Sequence, residues 1–292
     1  MKTTAPRVIR GLIVATMSVV ALAACTGPMA ERMADIELSD EPLTGKFVWH
    51  DLITDDSAAA RGFYGGLFGW SFEVTTHPNG GDYTLIRHGE RYLGGIVELA
   101  DPDDADYSRW LGYLSVADVD RAVALTREGG GRAVAGPLDL GDVGRAAAVE
   151  DPQGAVVGLL RSRYGDPLDT VERGHGAIVW NELLAADAAQ AADFYGALAG
   201  VESIEQPRAG GVYRVLRSQG VDRAGIMPRP ADDAQPLWLT HFAVANVERA
   251  AGRAAELGGT VLVAPDPALR DGLFAVVTDP NGAILALRQS TP

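Results

Sequence analysis

The chain has 292 residues, 47% of them hydrophobic, and a formal net charge of −14. That is apolar material for about two domains at ~100–200 residues each, and so negative a chain is a poor partner for nucleic-acid phosphates, which need Lys and Arg. The only cysteine is Cys25, so no disulfide can staple the fold and packing must hold it.

In chain order, Lys2, Arg7 and Arg10 form a basic start, followed by an uncharged 14-residue stretch from Gly11 to Ala24. The stretch suits a signal-peptide core and falls short of the ~20 residues of a spanning helix. Leu22-Ala23-Ala24-Cys25 closes it as a lipoprotein processing site does. Residues 1–24 are therefore expected to be a signal peptide and Cys25 the lipidated residue, which places the chain outside the cytoplasm. Without the leader the charge is −17, which disfavours lying flat on anionic lipid, so the acyl chain is the expected link to the bilayer. Thr26 follows the anchor in place of a retaining Asp, which favours the periplasmic face of an outer membrane wherever one exists. Residues 25–45, polar and aperiodic, read as the lipidated Cys and a flexible linker.

Phe47 to Ile53 is apolar and aromatic, a strand pattern. Asp55-Asp56-Ser57 offers caps to a helix carrying Phe63, Tyr64 and Leu67, which Gly69 stops. Strands follow near 83–87 and 92–98. The pattern restarts with a strand at 110–116, a helix from Asp118 to Arg127 ended by Gly129-Gly130-Gly131, and strands at 146–150 and 155–160 around an Asp-Pro-Gln-Gly turn.

The whole unit is then written a second time. Phe47-Val48-Trp49-His50-Asp51-Leu52 matches Ile178-Val179-Trp180-Asn181-Glu182-Leu183 at an offset of 131, and Phe63-Tyr64-Gly65 matches Phe194-Tyr195-Gly196. From Trp110 to Gly154 the offset is 128, pairing Asp151-Pro152-Gln153-Gly154 with Asp279-Pro280-Asn281-Gly282. Two domains are expected, at 46–162 and 176–289, joined by a linker at 163–175. Each is of α+β class, a pair of βαβββ modules.

The opening Trp-His-Asp-Leu with Phe-Tyr-Gly-Gly-Leu-Phe-Gly-Trp, the midpoint Val-Ala-Asp-Val-Asp-Arg-Ala and the ending Asp-Pro-x-Gly-Ala resemble the vicinal oxygen chelate superfamily. That superfamily includes glyoxalase I, bleomycin-resistance proteins and extradiol dioxygenases. The resemblance implies sheets curled around a cleft with helices outside, and in metal-dependent members His, Gln or Glu on cleft-facing strands. Counted by the family register, those positions hold Trp49, Leu111 and Gly158 in the first domain and Trp180, Leu239 and Ala286 in the second. None of these side chains is a ligand for a divalent ion, so no metal cofactor is expected.

A shifted metal site is the alternative. His50, Asp51, Glu98 and Tyr113 would gather if the first strand bulged, and His241, Glu182 and Asn181 would do so in the second domain. The ligand-binding candidates are Trp49, Asp51, Tyr83 and Tyr113 in the first domain and Trp180, Glu182, Tyr213 and His241 in the second. No Ser-His-Asp spacing or nucleophile elbow is present, and the catalytic residues are unassigned. The missing ligands favour a membrane-anchored small-molecule binder, resembling the bleomycin-resistance type, over a metal-dependent lyase or dioxygenase. A structural lipoprotein is the third reading.

Overall fold

The computed structural model describes residues 37–76, 82–99, 108–141, 143–169, 174–208 and 211–290. The signal peptide, Cys25 and the first part of the expected linker lie outside the described residues. The first domain runs β1 (Phe47–Thr54), α1 (Ser57–Phe68), β2 (Ser71–Thr76), β3 (Asp82–His88), β4 (Arg91–Glu98), β5 (Arg109–Ser115), α2 (Val119–Glu128), β6 (Arg132–Asp139), β7 (Gly144–Glu150) and β8 (Val156–Ser162). The second repeats it as β9 (Ile178–Ala185), α3 (Ala188–Ala199), β10 (Glu202–Arg208), β11 (Gly211–Ser218), β12 (Val221–Pro228), β13 (Leu237–Val244), α4 (Val247–Glu256), β14 (Thr260–Val263), β15 (Phe274–Thr278) and β16 (Ile284–Gln289). Strands β2 and β6 are the strands of the βαβββ modules to which the sequence reading gave no residues. Both are edge strands of their sheet, where weak apolar alternation suffices.

Each domain forms one eight-stranded mixed sheet, ordered β2-β3-β4-β1-β5-β8-β7-β6 and β10-β11-β12-β9-β13-β16-β15-β14. The central pairs, β1 with β5 and β9 with β13, are antiparallel. The helices start where the sequence offers caps. Asp56 accepts from the Ala59 N–H at 2.9 Å, Asp118 from Arg121 at 3.0 Å and Asn246 from Arg249 at 2.8 Å, each satisfying a donor that the first turn leaves open.

The two large cores cross the domain boundary. One joins Val119, Val123, Val149 and Leu159 of the first domain to Leu183, Tyr195, Leu198 and Trp238 of the second. The other joins Leu52, Phe63, Tyr64 and Trp110 to Phe242, Ala254, Val277 and Leu285. Each core therefore uses one module from each copy, and α1 packs on α4 while α2 packs on α3. Hydrogen bonds follow the same exchange. Tyr64 Oη donates to Asp279 Oδ2 at 3.1 Å, and Tyr195 Oη donates to Asp151 Oδ2 at 2.9 Å.

The expected linker is packed from residue 37 onward. Leu38 bridges Pro167, Ser39 N–H donates to the Asp166 carbonyl, and the Leu43 N–H and Ser115 hydroxyl both donate to Asp166 Oδ2. Lys46 and Arg223 then share Asp169 at 3.0 and 2.7 Å. An aperiodic polar sequence fits a strap docked by side-chain bonds as well as a free tether, and here residues 37–46 are a strap over 163–169.

Candidate functional site

The inner face of each sheet is set by strand alternation, because successive side chains point to opposite faces. On β1 this places Trp49, Asp51 and Ile53 on the inner face with Tyr83, Leu85, Leu111, Tyr113 and Leu160. Leu52 goes to the interdomain core. Strand β1 does carry a bulge, at Val48, where the pairing jumps from Phe47–Leu114 to Trp49–Tyr113. It lies before His50 and leaves the alternation of residues 49–53 intact.

In the first cleft Asp51 is 0% exposed. Its Oδ1 accepts from Tyr83 Oη at 2.8 Å and from Trp49 Nε1 at 2.9 Å, and the indole N–H also lies 3.1 Å from the tyrosine oxygen. Tyr113 lies next to the carboxylate without closing a hydrogen bond on Oδ2, which has no partner. Burial pushes the Asp51 carboxyl up to about 6, against the pull of Tyr83, Trp49 and Tyr113. Burial and the neighbouring carboxylate drive the Tyr83 and Tyr113 hydroxyls well above their ordinary value, so both remain protonated donors.

The second cleft repeats this constellation with two exchanges. Trp180 Nε1 donates to Tyr213 Oη at 2.9 Å, and Tyr213 lies against Glu182, which takes the place of Asp51. His241 stands where the first cleft has Tyr113. Its Nε2 is 3.6 Å from Glu182 Oε2, too far for a hydrogen bond, and both ring nitrogens lack partners in a side chain with 0% exposure. Burial lowers the His241 pKa, with Glu182 only partly offsetting it, so the imidazole is neutral at pH 7. Burial alone would raise the Glu182 carboxyl. The Arg270 guanidinium on both of its oxygens outweighs burial and holds the carboxyl below its ordinary value.

Glycines make room for both tyrosines. A Cβ at Gly95, paired with Asp51, would lie 2.0 Å from Tyr83 Oη, and one at Gly225, paired with Glu182, would lie 1.7 Å from Tyr213 Oη.

Sequence reasoning missed Arg270. Its Nη2 donates to both Glu182 oxygens at 2.8 Å, and its guanidinium lies 4.6 Å from the Phe274 ring centre. It comes from the short turn before β15, and no motif or spacing marks it. The clefts also differ in closure. Trp49, Tyr83 and Tyr113 are all buried in a broad apolar cluster, whereas Trp180 is half-buried and the second cleft has a smaller buried cluster with a half-buried apolar rim.

The shifted metal sites fare as follows. His50 turns away from the cleft and meets its own duplicate, with Nε2 3.0 Å from Asn181 Oδ1, while Thr240 donates to the same oxygen at 3.2 Å. Glu98 is exposed and accepts from the Ser57 N–H at 3.1 Å at the start of α1. Neither joins Asp51 and Tyr113, so the gathering expected from a bulge is corrected, and Asn181 likewise leaves Glu182 and His241. At the family's ligand positions, the ring of Tyr113 fills the space beside Gly158, 2.4 Å from where a Cβ would stand. In the second cleft two donors remain, and a guanidinium already neutralises one of them. Three or four converging donors are needed, so these residues do not fit a divalent ion. Among the described residues no group of three His, Cys, Asp or Glu side chains is placed to hold one.

Comparison with known proteins agrees with this architecture. Residues 46–159 match the Glyoxalase/Bleomycin resistance protein/Dioxygenase superfamily, and residues 177–287 match a glyoxalase-like domain. The chain belongs to this superfamily, as a tandem two-domain member. The CFP32 protein of Mycobacterium tuberculosis, whose name assigns it provisionally to the glyoxylases, is 34% identical over 84% of this chain and 94% of its own. The anthracycline biosynthesis protein DnrV of Streptomyces peucetius is 29% identical over 85% of this chain and 95% of its own. Among solved structures, the 2,3-dioxygenase LapB from Pseudomonas sp. KL28 superposes with a TM-score of 0.56 at 14% identity, covering 87% of this chain and 94% of its own. The Mn(II)-bound glyoxalase from Novosphingobium aromaticivorans gives 0.55 at 16% identity, covering 84% and 82%. These two likenesses concern the fold.

Proposed function

We propose that this protein is a lipid-anchored binding protein of the cell envelope that holds a small organic molecule in its second cleft without a metal ion. The observation that carries the reading is His241, a neutral imidazole with two unpartnered nitrogens on the inner face, beside Glu182, Tyr213 and the half-buried Trp180. Buried polar groups ordinarily find partners, and a ligand seated on Trp180 would supply them. The first cleft, whose Trp49, Tyr83 and Tyr113 pack closed, serves mainly as structure. The anchor rests on Leu22-Ala23-Ala24-Cys25, and the bilayer contact is its acyl chain.

The test is a thermal-shift screen of small organic compounds on wild-type and Trp180→Ala protein. A true ligand at a hundredfold excess over Kd stabilises by about 2.7 kcal/mol, and that gain should disappear in the variant. Hits unaffected by Trp180→Ala would move the site elsewhere. Chelator should leave the melting temperature unchanged, and a chelator-induced drop would restore the metal-dependent alternative. A Cys25→Ser variant should leave the membrane fraction.

A further inference from the structure

In the second cleft a cation is already seated on the buried carboxylate, and it belongs to the chain itself. Arg270 Nη2 lies 2.8 Å from both Glu182 oxygens, with its guanidinium over Phe274. The partners are unequal. Glu182 is 1% exposed on the central strand β9, while the Arg270 side chain is 30% exposed. The turn that carries Arg270 holds two consecutive non-glycine residues in the left-handed region, Arg270 at φ 51° and Asp271 at φ 57°. L side chains adopt this conformation at a cost, so the turn is strained. The group that can leave is Arg270.

The first domain shows the same receptor without the cation. Asp51 occupies the position of Glu182, walled by Trp49, Tyr83 and Tyr113, and its Oδ2 is buried without a partner. Two copies whose sequences have diverged thus share a buried carboxylate set among aromatic rings. That is the chemistry that recognises an organic cation, and in the second cleft the chain's own cations already use it, Arg270 over Phe274 at 4.6 Å and Arg208 over Tyr213 at 3.6 Å. His241 adds an acceptor 3.6 Å from Glu182 for a second N–H of such a guest.

We propose that the second cleft binds a compact organic cation, an amidinium, guanidinium or amine on an apolar body, which displaces Arg270 from Glu182. Arg270 is then an intrinsic competitor that keeps the buried carboxylate paired while the cleft is empty. The proposal rests on the binding reading above and specifies its ligand class. The chain's net charge of −14 favours the encounter by raising the local concentration of cations.

Benzamidinium is a suitable probe, with benzamide as the uncharged and benzoate as the anionic control, measured by titration calorimetry on the purified full-length protein. Benzamidinium should bind the wild type, bind Arg270→Met about tenfold or more tightly because the competitor is gone, and fail to bind Glu182→Gln. Benzamide and benzoate should not bind. Preference for benzoate, lost in Arg270→Met, would make Arg270 an anion anchor and overturn the proposal. Unchanged benzamidinium affinity in Arg270→Met would overturn the competition. If that variant is unstable, the Arg270 Nε–H resonance of the wild type should shift on saturation with benzamidinium, and an unmoved resonance would count equally against displacement. Binding of neutral or anionic compounds without any cation sinks this proposal alone, whereas silence across compounds of every charge sinks the binding reading itself.

Discussion

Tyr64 and Asp279 stand 215 residues apart and are joined by a 3.1 Å hydrogen bond that closes the interface between the two domains. The other Asp279 oxygen accepts from the Asn281 and Ala283 N–H groups, so one carboxylate both shapes its own turn and receives a helix residue of the other domain. Trp110 Nε1 completes the chain by donating to Tyr64 Oη at 2.9 Å. Trp238, Tyr195 and Asp151 make the reciprocal set.

Tyr64→Phe removes the hydroxyl and leaves a buried indole N–H and a carboxylate oxygen without a partner. We expect a loss of about 1–3 kcal/mol, read from urea unfolding, and a similar loss for Tyr195→Phe. A variant as stable as the wild type would show that the tyrosines contribute through their rings alone.

His50 gives the domain interface an acid limit. Burial lowers its pKa from 6.5 to about 4, only partly offset by the bond to Asn181. A base whose folded pKa is depressed contributes stability that is present above pH 6.5 and lost as pH falls towards 4. The wild type should therefore lose about 3 kcal/mol relative to His50→Gln across that window, at about 1.4 kcal/mol per pKa unit. Parallel stability curves for the two proteins would refute it.

Asp51 has the opposite sign. Its folded pKa of about 6 lies above the ordinary 3.8. Its contribution is complete below pH 3.8 and lost as pH rises through 6. Relative to Asp51→Asn, the wild type should lose about 3 kcal/mol between those limits. Denaturation midpoints of both proteins at pH 4 and pH 7 check this, and an unchanged gap would mean that Asp51 is not buried as described.

Gly225→Ala places a methyl group 1.7 Å from Tyr213 Oη and 2.9 Å from Trp180 Nε1. The tyrosine must move, at a typical overpacking cost of about 1–3 kcal/mol, and the Trp180–Tyr213 bond must break with it. A lowered melting temperature together with a shifted tryptophan emission is the expected result. Unchanged emission would show that the cleft yields elsewhere.

The duplication, the capping residues and the inner-face positions Trp49, Asp51, Trp180 and Glu182 were legible in the sequence, because strand alternation and helix caps act over a few residues. The eight binding candidates form two quartets for the same reason, since all lie on interior strands of their sheets at positions of known parity. What tertiary structure alone decided depends on contacts distant in the chain. The crossed cores, the strap over 163–169 and the pairing of His50 with its duplicate Asn181 arise only when the modules exchange partners. Arg270 is the clearest case. A lone arginine in an irregular turn carries no periodic signal, and its role is set entirely by where that turn meets Glu182.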